Sequence, residues 1–170
     1  MKPHWILGCT SLGLAACLLP ALTRFPVHLV FNPSDSVPRG WYRVETADEL
    51  HRGDTVLVRL PSRVQAFAAQ RGYLPDGVPL LKRIEALPPQ RVCLRDRVVF
   101  VDGRAVATAL AHDSQHRSVR TWSGCRALAA GEVFLLSTTH PASFDSRYWG
   151  PINVSAVIGS ARPLWTWEGP

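Results

Sequence analysis

Phe31–Tyr42, FNPSDSVPRGWY, is the stretch that most limits what this chain can become. Pro33 and Pro38 each fix φ and restrict the residue before them, and Gly40 supplies the freedom for a sharp exit. The segment cannot be a helix, and it holds the hydroxyls of Ser34 and Ser36 in few orientations. A serine hydroxyl is a weak nucleophile until a base takes its proton. Ser36 is therefore the candidate nucleophile, and the next requirement is a base.

Composition points to Lys82. Of 19 basic residues only Lys2 and Lys82 are lysines, and the rest are arginines. Arginine cannot be deprotonated in a protein, whereas a desolvated lysine can lose its proton. Residues 79–87, PLLKRIEAL, read as a short strand, which puts Leu80, Lys82 and Ile84 on one face and Leu81 and Arg83 on the other. An ammonium between two large aliphatic side chains is desolvated, and burial favours the neutral amine, a competent general base. The competing reading is a lysine snorkelling from a sheet edge.

The chain is 170 residues long, about one domain, with enough apolar residues to exclude wholesale disorder. A formal net charge of +6 invites a nucleic-acid reading, but the arginines are scattered and no groove-reading signature appears, so no nucleic-acid partner is expected. The basic surface suits anionic headgroups or plain solvation equally. There is no metal-ligand spacing, no H-E-x-x-H and no Gly-rich phosphate loop, so neither a metal nor a cofactor is expected.

Residues 5–23 carry no charge and are long enough to span a bilayer. An uncleaved anchor over residues 1–24 is the preferred reading, ahead of a cleaved signal peptide and of a lipoprotein box acylated at Cys17. Every version delivers residues 25–170 to the outer face. In that region Thr55–Leu60, the Lys82 segment, Arg91–Leu94, Val98–Val101, Arg104–Ala107 and Glu132–Ser137 read as strands, with Asp102-Gly103 as a hairpin turn. One short helix, RVQAFAAQR, is expected after a Ser62 cap and before Gly72, with Val64, Phe67 and Ala68 on its apolar face. Residues 108–127 read as a long polar excursion. The fold class is mainly β, a single β-rich domain with one short helix behind an N-terminal transmembrane helix. Cys93 and Cys125 either pair as a disulfide, which would place the domain in an oxidising compartment, or are two unrelated buried thiols.

Four stretches, in order, resemble the type I signal peptidases, and most closely their conjugation-associated TraF-type relatives. SDSVPRGWY is similar to the nucleophile block, RGDTVLVRLP to the strand after it, PLLKRIEALPPQRV to the block around the catalytic lysine, and SFDSRYWGP to the S-x-D-S-R-x-x-G block. The resemblance implies Ser36 as nucleophile, Lys82 as general base and the Ser34 hydroxyl beside the Ser36 N–H as oxyanion hole. It implies that Ser143 orients the Lys82 amine, that Asp145 and Arg147 brace the site, and that Gly150 permits close backbone approach. Asp145 also has a simpler role open to it, in an ion pair with Arg147 or as a turn cap. Two departures stand out: Val37 where the family has Met, and Pro89-Gln90 where it has Gly-Asp.

The implied activity is that of a serine endopeptidase in the bacterial inner membrane with a periplasmic catalytic domain. Its substrate would be a pilin precursor or another exported protein, and its setting the conjugation machinery. The alternative is a non-catalytic pilus or secretion-assembly subunit that uses the fold for binding. A Ser-His-Asp triad built on His140 is the enzymatic rival; His28, His51, His112 and His116 stand in no recognisable catalytic setting.

Overall fold

The computed structural model describes residues 28–137 and 139–167, with Gly13 in isolation. The uncharged stretch 5–23 therefore lies outside the described residues but for that one position. Among the described residues no helix is long and apolar enough to cross a membrane.

Among the described residues the fold comprises, besides a single 3-10 turn at Val154–Ala156, eleven strands and two short α-helices. In order they are β1 (His28–Asn32), β2 (Arg39–Glu45), β3 (Thr55–Val58), α1 (Ser62–Arg71), β4 (Leu80–Ala86), β5 (Arg91–Arg95), β6 (Val98–Val101), β7 (Arg104–Thr108), β8 (Gly124–Ala127), β9 (Glu132–Leu136), α2 (Ser146–Trp149), β10 (Ile152–Asn153) and β11 (Val157–Trp167). They form a seven-stranded sheet ordered β1-β2-β11-β3-β4-β9-β10 and a four-stranded sheet ordered β7-β6-β5-β8. All named pairings are antiparallel.

Local chemistry explains the punctuation. The β6–β7 turn carries Asp102 at φ 49° and Gly103 at φ 81°, the two positive values a tight hairpin of matching twist requires. β11 shifts register between Pro163 and Trp165, where proline has no N–H to give the ladder. Gly40 holds φ +142°, and a Cβ there would lie 2.1 Å from the Trp165 carbonyl oxygen, so only glycine lets β2 and β11 approach this closely.

Two expectations for α1 change. The helix begins at Ser62 itself, with Pro61 as N-cap and no side-chain cap. Its buried positions are Gln65 and Ala68; Gln65 is drawn inward because its amide donates to the Pro75 carbonyl at 3.0 Å. Gly72 ends the helix in the left-handed conformation expected of a C-terminal glycine.

The strand alternation expected around Lys82 is realised. Leu80 and Ile84 pack into one cluster with Val56, Val58, Val133 and Leu135. Leu81 faces the other way, into a cluster with Val37, Tyr42, Val44 and Leu57. A third cluster joins the small sheet to β9, through Val92, Leu94, Val99 and Val101 against Phe134 and Leu136. Cys93 and Cys125, register partners on β5 and β8, form a disulfide.

Candidate active site

The turn bearing Ser34 and Ser36 hangs between β1 and β2 and is tied together by Asn32. The buried Asn32 amide reaches the carbonyls of Ser34 (2.8 Å), Val37 (3.0 Å) and Pro38 (3.2 Å). Its carbonyl oxygen accepts from the Ser34 backbone N–H (3.2 Å) and the Ser34 hydroxyl (2.8 Å). Tyr42 donates to the Pro38 carbonyl at 2.6 Å, and Val37 is sunk in the core beside it. A turn this thoroughly hydrogen-bonded positions its hydroxyls before any ligand arrives, which is the condition for electrostatic catalysis.

Ser34 Oγ and Ser36 Oγ lie 2.9 Å apart. The single Ser34 proton serves Asn32, so the one Ser36 proton has two acceptors in reach, Ser34 Oγ and the Leu81 carbonyl. Ser36 Oγ also lies 3.3 Å from the Leu81 carbonyl, one residue before Lys82. Among the described residues there is no Ser36–Lys82 hydrogen bond, although both side chains line the same cavity.

Lys82 is buried and donates to Ser143 Oγ. Burial pushes its pKa down to about 8, against an upward pull from Asp145 and a further downward push from Arg147. Ser34, Ser36, Lys82 and Ser143 all line one cavity of about 320 Å³, whose apolar walls include Leu74, Leu80, Ala142 and Phe144. The four residues come from three separate stretches of sequence.

Asp145 and Arg147 stand behind this cavity. Their ion pair is almost wholly buried, with Arg147 Nη2 2.6 Å and Nε 2.8 Å from the two carboxylate oxygens. Asp145 also accepts from the Ser137 N–H at 2.9 Å and, as N-cap of α2, from the Arg147 N–H at 3.2 Å. Arg147 donates to the carbonyls of Pro141 (2.6 Å), Ser143 (3.1 Å), His140 (3.3 Å) and Thr108 (3.3 Å). The pair fixes the loop that presents Ser143. Gly150 differs from expectation: the nearest group to an added Cβ is the Trp122 indole at an ordinary 3.6 Å, so the glycine answers to its φ of +79° rather than to close approach.

His140 lines the cavity without bonding to Ser36 or Lys82 among the described residues. Its Nδ1 accepts from the Ala142 N–H at 3.2 Å, and it bonds neither Ser36 nor Asp145 among the described residues. With Asp145 committed to Arg147 and Ser137, a Ser-His-Asp relay is not assembled.

Two contributors were not read from the sequence. Asn32 could have been suspected, because an asparagine before proline favours turn formation. Thr139, whose Oγ1 donates to the Asp35 carbonyl at 2.6 Å, gave no signal at all.

A family model described as signal peptidase, peptidase S26, matches residues 4–167. The chain belongs to this family. A conjugal transfer protein TraF of Agrobacterium fabrum is 39% identical over 81% of this chain and 82% of its own length. A plasmid transfer protein TraF of Escherichia coli is 32% identical over 92% of this chain and 94% of its own. A crystal structure of a signal peptidase I from Enterococcus faecalis aligns at a TM-score of 0.39 with 21% identity, over 68% of this chain and 98% of that one. Membership of the S26 peptidases supports a serine peptidase.

Proposed function

We propose that this chain is a membrane-anchored Ser36/Lys82 endopeptidase that processes a conjugative pilin precursor or another exported protein. The observation that carries this reading is the buried Lys82 amine, held by Ser143 and sharing a cavity with Ser34 and Ser36. Neutral Lys82 takes the Ser36 proton as Oγ attacks the scissile carbonyl. The tetrahedral oxyanion receives the Ser36 N–H and the Ser34 hydroxyl, which turns from Asn32 to do so. Lys82 then returns its proton to the departing amine, leaving an ester on Ser36. Water resolves that ester to a linear product; the substrate's own amine resolves it to a cyclic one.

The relatives named for conjugal and plasmid transfer favour a pilin-type substrate. An inner-membrane position with a periplasmic catalytic domain is supported by an aromatic surface on β1, β2 and β11. Leu29, Phe31, Trp41, Trp165 and Trp167 stand exposed there, with the Phe31 ring 5.2 Å from Trp41 and 6.1 Å from Trp167. Tryptophan suits the membrane interface, and β1 starts four residues after Arg24 closes the uncharged stretch.

The test is the intact mass of a pilin precursor co-expressed with wild type and with Lys82→Arg. Arginine keeps the charge and cannot act as a base. Trimming by wild type alone supports the dyad, and a product one water lighter than the linear fragment identifies cyclisation. Trimming by a folded Lys82→Arg variant sinks the proposal, and no trimming by wild type favours the assembly-subunit alternative.

A further inference from the structure

A second cavity lies remote from the serines. It measures about 450 Å³ and opens between the two sheets, walled by Arg52, Gly53, Arg83 and Glu85 on one side and Arg104 and Val106 of β7 on the other. Arg83 follows Lys82 on β4 and so projects from the opposite face of the sheet.

We propose that this cleft is a phosphate-binding site. Two of its three guanidinium groups are held in place. Arg52 is ion-paired with Glu85. Arg83 donates through Nε to the Gly53 carbonyl at 3.1 Å and lies against the bare Gly53 α-carbon, where an added Cβ would come within 3.3 Å of its terminal nitrogen. Gly53 also holds φ +97°, so both its backbone and the space beside it depend on glycine.

The charges in the cleft do not balance. Glu85 is the one acidic residue on its wall, and it is taken by Arg52. Asp102 lies near enough for Arg52 to lower its pKa, but its oxygens are occupied chiefly by the Arg91 N–H and by Gln90. Arg83 has no carboxylate partner, and Arg104 has no side-chain partner among the described residues. Two positive charges thus face one cleft from different sheets, and an anion bound there is attracted to both. A planar carboxylate aligns with one guanidinium fork. A tetrahedral phosphate presents oxygens in several directions and can be held from both walls, the geometry for which arginine is suited.

Phosphate chemistry has two sources, a soluble phosphate and the headgroup of an anionic lipid. The full chain in neutral detergent is titrated with inorganic phosphate at constant ionic strength, with its thermal midpoint as readout. Binding is then compared on phosphatidylcholine vesicles with and without phosphatidic acid. A ligand that bridges both sheets raises the midpoint saturably. Arg83→Gln and Arg104→Gln should each weaken that response about tenfold, the shift being measured from each variant's own unliganded midpoint. A response to inorganic phosphate assigns a soluble ligand. An arginine-dependent preference for phosphatidic acid, without a response to inorganic phosphate, assigns a headgroup. No saturable response to either, or one that persists in both variants, overturns the site.

Discussion

Thr139 and Asp35, 104 residues apart, are joined by a 2.6 Å hydrogen bond from the threonine hydroxyl to the aspartate carbonyl. The bond fastens the Ser34–Ser36 turn to the loop bearing Ser143, which holds the proposed base of the proposed nucleophile. Thr139→Val removes the donor and keeps the shape. The expected result is a fall in kcat of about tenfold to a hundredfold with little change in KM, because orientation is lost more than affinity. Thr139→Ser should restore the rate; equal damage from both variants would show that the hydroxyl is immaterial.

Activity should rise with pH. Lys82 must be neutral to accept a proton and has a pKa of about 8, so each pH unit below that value costs about tenfold in rate and a plateau follows above it. The stability linkage has the same sign. The folded pKa lies below the ordinary lysine value of 10.5, so the unfolded chain binds more protons between about 8 and 10.5, and stability rises with pH across that window. Denaturant unfolding of wild type beside Lys82→Met, which lacks this titration, isolates the effect.

Asp145→Asn leaves the Arg147 charge buried without its partner. Breaking such a pair from one side costs on the order of 3–5 kcal/mol, measurable by urea unfolding. Asp145 also raises the Lys82 pKa, so whatever variant folds should show its pH–rate midpoint displaced below about 8. A midpoint moved upward would contradict this electrostatic assignment.

The Cys93–Cys125 disulfide spans 32 residues of chain and includes the whole excursion between β7 and β8. Closing a loop of that length stabilises by about 3–4 kcal/mol in the chain-entropy account. The double Cys→Ala variant should lose roughly that much, and reductant should lower the unfolding midpoint of wild type but leave the variant unmoved.

What could be read in advance was what depends on neighbours in sequence. The Lys82 strand, the Asp102-Gly103 hairpin and the Gly72 helix stop follow from alternation and turn chemistry, and each formed as expected. β8 was hidden in a polar stretch, since Gly124–Ala127 has almost no apolar pattern and becomes a strand by pairing with β5. α2 has only four residues and is set by its Asp145 cap rather than by periodicity. At the candidate site, the serines and the lysine could be singled out by residue type. The loop geometry could not, because Arg147 shapes it through four backbone carbonyls that any sequence would supply.

β11 follows every other strand in sequence, yet it lies third in the large sheet, between the β1–β2 hairpin and the β3–β4 pair. The hairpin carries Ser36 and the pair carries Lys82, and β11 is the strand that hydrogen-bonds to both. Trp165, whose carbonyl Gly40 makes room for, belongs to that closing strand. Until Val157–Trp167 has been made, the large sheet lacks the strand that sits between the Ser36 hairpin and the Lys82 strand, so the sheet cannot be completed before the end of the described chain has been synthesised.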